Sequence, residues 1–228
     1  MTEKKEEPKI DENLYSRVLL EYGLETLKKL SESSVFIYGM RGLGIEVAKN
    51  IILNWCGKVS IYDPTIVKIN DLGSNFYLTD DDVNKKRRDE ACIDKLSELN
   101  PYVKVSVLNI EQKKDINEYI KEFCDKIKNC NVVVITELQT MYFIAQIDNF
   151  CRTNNKKFIY GFCLGLAGYI FVDFGFHIIT DENGEETGTY SIKSISKDKE
   201  GIVVIDNVQG TNNLKMGDGC FVKFKDAY

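Results

Sequence analysis

Residues 35–46 read VFIYGMRGLGIE. VFIYG is a short unbroken apolar run, the pattern of a strand buried on both faces of a sheet. GMRGLG then opens a stretch of helical periodicity in which Ile45, Ala48, Ile52 and Trp55 form one apolar stripe. Strand, glycine-rich turn and helix make the outline of the dinucleotide fingerprint G-x-G-x-x-G, with Arg41 in place of the middle glycine. In the intact fingerprint the first glycine permits the turn, the second lets backbone approach a pyrophosphate, and the third packs helix on strand. Gly39 and Gly44 keep the outer roles, and Asp63 ends the next apolar run about where an acid would grip a ribose hydroxyl. Arg41 adds bulk where backbone and phosphate would touch, and its side chain either lends charge to a ligand or fills the pocket itself. On these residues alone, a nucleotide site and a purely structural turn both stand open.

Upstream, periodicity from Tyr15 to Ser31 predicts a helix with Leu20, Leu24, Leu27 and Leu30 on one face. Downstream, KVSIYD (58–63) reads as a strand, and an irregular stretch to about Asp82 leads to a helix over 85–99, closed by Asn100-Pro101. Strands follow at 103–108, 131–136 and 157–162, with helices over 113–128 and 140–154 between them. This alternation predicts an α/β fold with a doubly wound, mostly parallel, Rossmann-like sheet, whose ligand site lies at the carboxyl ends of the strands near the switch in strand order. After about Gly165 the pattern changes. GYIFVDF, FHIIT, TYSIKSIS, GIVVID and CFVKF are short β-type runs separated by turn signals, with no helix between them. The expected organisation is a disordered tail (1–12), an α/β domain (13–172) and a small all-β module (173–228). The chain stops just after a strand, which reads as a piece cut from a longer protein.

Composition narrows the function classes. A net charge of −5 and a pI near 5.2 argue against a nucleic-acid partner or an anionic membrane. Charges interrupt every apolar stretch short of a membrane span, and MTEKKEEPKIDE lacks the apolar core of a signal peptide. Seven cysteines (56, 92, 124, 130, 151, 163 and 220) are an odd number with no C-x-x-C, so neither a disulfide framework nor a zinc site is expected, and no metal. They read as reduced, mostly buried thiols of a cytoplasmic or nuclear protein. The sole histidine, His177, sits in strand-like FGFHIIT as a packing or surface residue.

Several motifs carry a resemblance. YSRVLLEYGLETLKKLSESSVFIYGMRGLGIEVAKNIIL (15–53), DLGSNFYL (71–78) and the β-rich stretch after FVDFG (171–175) closely resemble the N-terminal part of the eukaryotic ubiquitin-activating enzymes, over about residues 14–225. The resemblance implies a ThiF/MoeB-like fold and, in the full-length protein, adenylation of the ubiquitin C-terminus with ATP and Mg²⁺. A thioester and transfer to ubiquitin-conjugating enzymes would follow. That family pairs two adenylation domains, the first inactive. This chain resembles the inactive copy, followed by the start of the first catalytic-cysteine half-domain. Its partners would be ubiquitin, the conjugating enzymes and the active adenylation domain of the same polypeptide, which would hold the nucleotide and metal outside this chain.

By the same resemblance, Gly39, Arg41, Gly44 and Asp63 line a vestigial pocket. Active copies carry Asn-Arg-Gln where this chain has Gly73-Ser74-Asn75, and a metal-binding aspartate near the stretch Thr136-Glu137-Leu138-Gln139, where Glu137 is the nearest carboxylate. Arg17, of the Tyr-Ser-Arg motif, matches the arginine that reaches in trans to the ATP phosphates of the active domain; read alone it is a surface cation at a helix start. Lys85 and Arg87 match phosphate-contacting lysines, but the run from Lys85 to Arg88 reads better as a solvated helix start. Phe76 and Tyr77 read as loop anchors. An activating enzyme or regulatory subunit for another ubiquitin-like modifier is the alternative. An NAD-dependent oxidoreductase using Gly39, Gly44 and Asp63 lacks any hydride-transfer site in the sequence.

Overall fold

Valine, isoleucine and aromatic residues at consecutive positions build a sheet covered on both faces. The structure, a computed structural model, describes residues 15–176, 190–205, 222 and 224. Strands β1 (Ser34–Tyr38), β2 (Lys58–Tyr62), β3 (Lys104–Val107), β4 (Val132–Ile135), β5 (Lys157–Leu164) and β6 (Ala167–Asp173) form one sheet in the order β3-β2-β1-β4-β5-β6. The first five are parallel, and β6 runs antiparallel to β5. Helix α1 (Ser16–Glu32) precedes β1, and α2 (Gly42–Leu53), α3 (Arg88–Glu98), α4 (Ile116–Ile127) and α5 (Met141–Thr153) connect the parallel strands.

Burial divides the core into two layers. Ile45, Ala48 and Ile52 of α2 and Cys92 and Leu96 of α3 pack with Val35, Ile37, Val59 and Ile61 on one face. Phe123 of α4 and Phe143 and Ile147 of α5 pack with Phe36, Tyr38, Val133 and Phe158 on the other. Phe123 makes an edge-to-face contact with Phe36 at 5.4 Å and with Phe143 at 5.2 Å, the arrangement that the ring quadrupoles favour. The chain winds outward from β1 to β3 and then returns to place β4 on the other side of β1. This is the strand-order switch, and its crevice opens at the carboxyl ends of β1 and β4.

Two expectations need correction. The four leucines of α1 do not share a buried face: Leu27 is fully buried, while Leu20 is 90% exposed. The cause is Gly23, whose φ of 77° and ψ of 165° kink the helix and rotate its first half away from the register of the second. Second, α3 begins at Arg88, so Lys85, Lys86 and Arg87 precede the helix, and Ile66 and Arg87 form an isolated antiparallel bridge. The run GYIFVDF becomes β6, which a two-residue turn at Gly165-Leu166 folds back onto β5.

The chain divides into two compact units, with the division after Phe176. In the second, β7 (Ile192–Ile195) and β8 (Val203–Ile205) pair antiparallel, at the positions expected from TYSIKSIS and GIVVID. The tail 1–12, His177, Cys220, most of FHIIT and all but two residues of CFVKF lie outside the described residues. The six described cysteines are free thiols, of which Cys56, Cys92, Cys130 and Cys151 are buried.

Candidate functional site

The turn after β1 has the steric demands of a fingerprint. Gly39 has φ 104°, a conformation that L side chains rarely adopt, and a Cβ there would lie 2.6 Å from both Glu137 Cγ and Thr136 Oγ1. Gly44 sits so close to the turn that a Cβ would meet Gly39 O at 1.9 Å. Thr136, just past β4, closes the crossing by donating from Oγ1 to Tyr38 O (3.0 Å) and Gly39 O (3.1 Å). Asn75, fully buried, braces the turn from the other side through Nδ2 to Met40 O at 2.7 Å. The loop Gly73-Ser74-Asn75 therefore supports the glycine turn, and Asn75 does so from a position closed to solvent.

Asp63 is also fully buried, and both of its oxygens are in use. Oδ2 accepts from Met40 N (2.9 Å) and Arg88 Nη1 (3.4 Å), and Oδ1 accepts from Thr65 N (3.0 Å). Three of its roughly four lone-pair sites are used, and the carboxylate is closed to solvent. The reason is Arg88, a residue that sequence reasoning set on a solvated helix start. The structure corrects this: Arg88 is 1% exposed. Its Nε donates to Asp71 Oδ2 at 2.8 Å, and its Nη1 lies 3.4 Å from Asp63 Oδ2 and 3.9 Å from Glu137 Oε1. The guanidinium thus spans from the end of β2 to the end of β4, across the end of β1. Burial opposes its charge, but the bond to Asp71 and the fields of Asp63 and Asp71 more than offset this and raise its pKa further.

Arg41, with its side chain 58% exposed, turns toward Glu137, Nε lying 3.4 Å from Oε1. Glu137 Oε1 is buried and makes no hydrogen bond of good geometry despite these two cations. Desolvation raises the Glu137 pKa; Arg41 pulls it down, and Asp63 pushes it up. Of the remaining basic run, Arg87 pairs with Asp89 through Nη2 (2.5 Å) and Nε (3.1 Å) and lies over the Tyr62 ring. Lys86 pairs with Asp82 at 2.8 Å, and exposed Lys85 lies 4.0 Å from Asp81. Phe76 is 56% exposed and stacks obliquely on Tyr77.

The end of the sheet thus gathers Gly39, Arg41, Gly44 and Asp63 with Glu137, and Arg88 lies among them. The acid in the ribose position is enclosed, and the cation beside it is bound to carboxylates. No local signal marked Arg88, because its partners Asp63 and Asp71 lie 25 and 17 residues before it in the sequence.

Arg17 is not part of this cluster. It is exposed in the first turn of α1, two residues after Tyr15, which is only 4% exposed. Tyr15 stacks on Trp55 with ring centroids 4.6 Å apart, and its hydroxyl accepts from Asn100 Nδ2 at 2.8 Å. Trp55 precedes β2 and Asn100 precedes β3, so Tyr15 fastens the start of α1 at the edge of the sheet where strands begin, opposite the glycine turn. The Tyr-Ser-Arg motif is physically a buried anchor followed by a presented cation.

Comparison with known proteins agrees with this architecture. Residues 15–201 match the ThiF family. Over 223 residues, 97% of this chain, it is 40% identical to the ubiquitin-like modifier-activating enzyme 1 of Dictyostelium discoideum, of which it covers 21%. It is 40% identical over 219 residues to the ubiquitin-activating enzyme E1 1 of Schizosaccharomyces pombe, and 35% identical over 222 residues to the human ubiquitin-like modifier-activating enzyme 1, covering 20% of each. The chain spans about a fifth of the length of these relatives. With a parallel sheet switched at β1 and β4, a glycine turn at the switch and a match over most of its length, the chain belongs to the ThiF family.

Proposed function

We propose that this chain is the N-terminal portion of a ubiquitin-activating enzyme and that its crevice is a pseudo-adenylation site. The full-length protein would adenylate the ubiquitin C-terminus with Mg·ATP, form a thioester and hand ubiquitin to conjugating enzymes, in the cytoplasm and nucleus. The observation that carries the reading is the closure of Asp63 by Arg88. An adenylating site needs cations and an acid turned toward the triphosphate and its metal, and here they are turned toward each other. Closure of Asp63 weighs equally against NAD held on the same residues.

On this reading the chain contributes half of the domain pair and lends Arg17 to the active domain. Arg17 suits the role because Tyr15 fixes its helix while its own side chain stays in solvent. A guanidinium is planar, permanently charged and matched to phosphate oxygens. In the full-length enzyme, Arg17→Ala should slow ATP–pyrophosphate exchange by at least about ten-fold, a conservative share of the roughly 10³–10⁵ that arginine fingers supply elsewhere. An unchanged exchange rate would remove Arg17 from the chemistry. The 228-residue chain alone should give no exchange; measurable exchange would overturn the pseudo-site.

A further inference from the structure

A second concavity lies on the opposite face of the sheet edge, apart from the glycine turn. Met141, Ile144 and Ala145 of α5 form one wall, and Tyr160 of β5 with Tyr169 and Phe171 of β6 the other, enclosing about 170 Å³. This is well below the roughly 300–1,000 Å³ of cofactor sites and suits one side chain. The rim is apolar for a surface: Met141 is 69% exposed, Tyr169 47% and Phe171 37%. Exposed apolar groups clustered in this way mark interaction surfaces.

Charge specifies the occupant. Asp148 also lines the cleft, and its Oδ1 makes no hydrogen bond. The adjacent Asp173 is saturated: Arg152 donates to its Oδ2 through Nη2 and through Nε (2.9 Å), and Gly175 N donates to its Oδ1 at 2.8 Å. Two carboxylates therefore stand beside one arginine, which is bonded to Asp173. Burial, the neighbouring Asp173 charge and a side-chain hydrogen bond with Asp173 raise the Asp148 pKa, and Arg152 offsets them only in part. Aromatic faces and a thioether beside such a carboxylate suit a cation on a long apolar stem, and a guanidinium also stacks on tyrosine.

We infer that this cleft between α5 and the β5–β6 hairpin receives an arginine side chain of a partner polypeptide, the guanidinium meeting Asp148 and its stem lying against Met141 and Tyr169. The inference does not depend on the reading of the glycine-turn crevice. It is tested with the full 228-residue chain by following its methionine, isoleucine and alanine methyl signals by NMR during titration with acetyl-Leu-Arg-Leu-amide. The citrulline analogue, equal in shape but uncharged, is the control. Saturable shifts at Met141, Ile144 and Ala145 are expected, with the citrulline peptide at least about ten-fold weaker. Asp148→Asn should remove that preference. Equal binding of both peptides, as when Asp148 keeps a proton bonded to Asp173, would overturn the inference, as would no saturable shift or a preference that survives in Asp148→Asn.

Discussion

Replacing Arg88 by methionine would keep its volume but leave Asp63 and Asp71 buried around an apolar chain. Breaking a buried ion pair from one side costs about 3–5 kcal/mol, because the uncompensated charges remain. Urea unfolding at pH 7 should show a loss of that size, and a midpoint equal to wild type would mean that the carboxylates reorganise freely. Glu137 behaves differently. Its pKa is raised from 4.5, so the folded state holds a proton more tightly than the unfolded chain. Ionisation above the folded value therefore opposes folding, and the penalty fades as pH falls from there toward 4.5. Glu137→Gln should be neutral or mildly stabilising at pH 7, its advantage in Tm shrinking as pH approaches 4.5; an advantage that grows on acidification would reverse the sign. At this scale the sequence was legible in part. Gly39, Gly44 and Asp63 were visible from spacing. The burial of Arg88 was not, because a cation beside acids reads as solvated until the fold shows that the acids converge on it.

The unit that positions the crevice is β1, its turn and α2. Its stripe of Ile45, Ala48, Ile52 and Trp55 was legible, and all four are buried. The third glycine carries most of the constraint. Gly44→Ala would drive a methyl to 1.9 Å from Gly39 O, against backbone that Thr136 and Asn75 hold in place. The expected outcome is a chain that fails to fold cooperatively or loses more than about 3 kcal/mol, toward the severe end for single substitutions. A thermal melt superimposable on wild type would show that α2 can shift to relieve the contact. Element boundaries were less legible where one backbone angle decides. The leucine spacing in α1 is regular in sequence, and only the φ of Gly23 reveals that the spacing runs across a kink.

Across the whole molecule, alternating strand and helix signals sufficed to derive the parallel sheet and its two covered faces. The sequence could not give the pairing of β6 with β5, because an apolar run reads alike as an antiparallel edge or as the start of a new module. The switch between β1 and β4 fixes where a ligand site would be, and what occupies that place is a ring of charges belonging to the chain itself. Arg88 and its three acids behave like a bolt whose socket is made of the same parts. Withdrawing the cation alone leaves mutually repelling anions in a dry space. The stability of the fold and the closure of this ring thus rest on the same contacts, so removing Arg88, Asp63 or Asp71 alone carries a cost in folding.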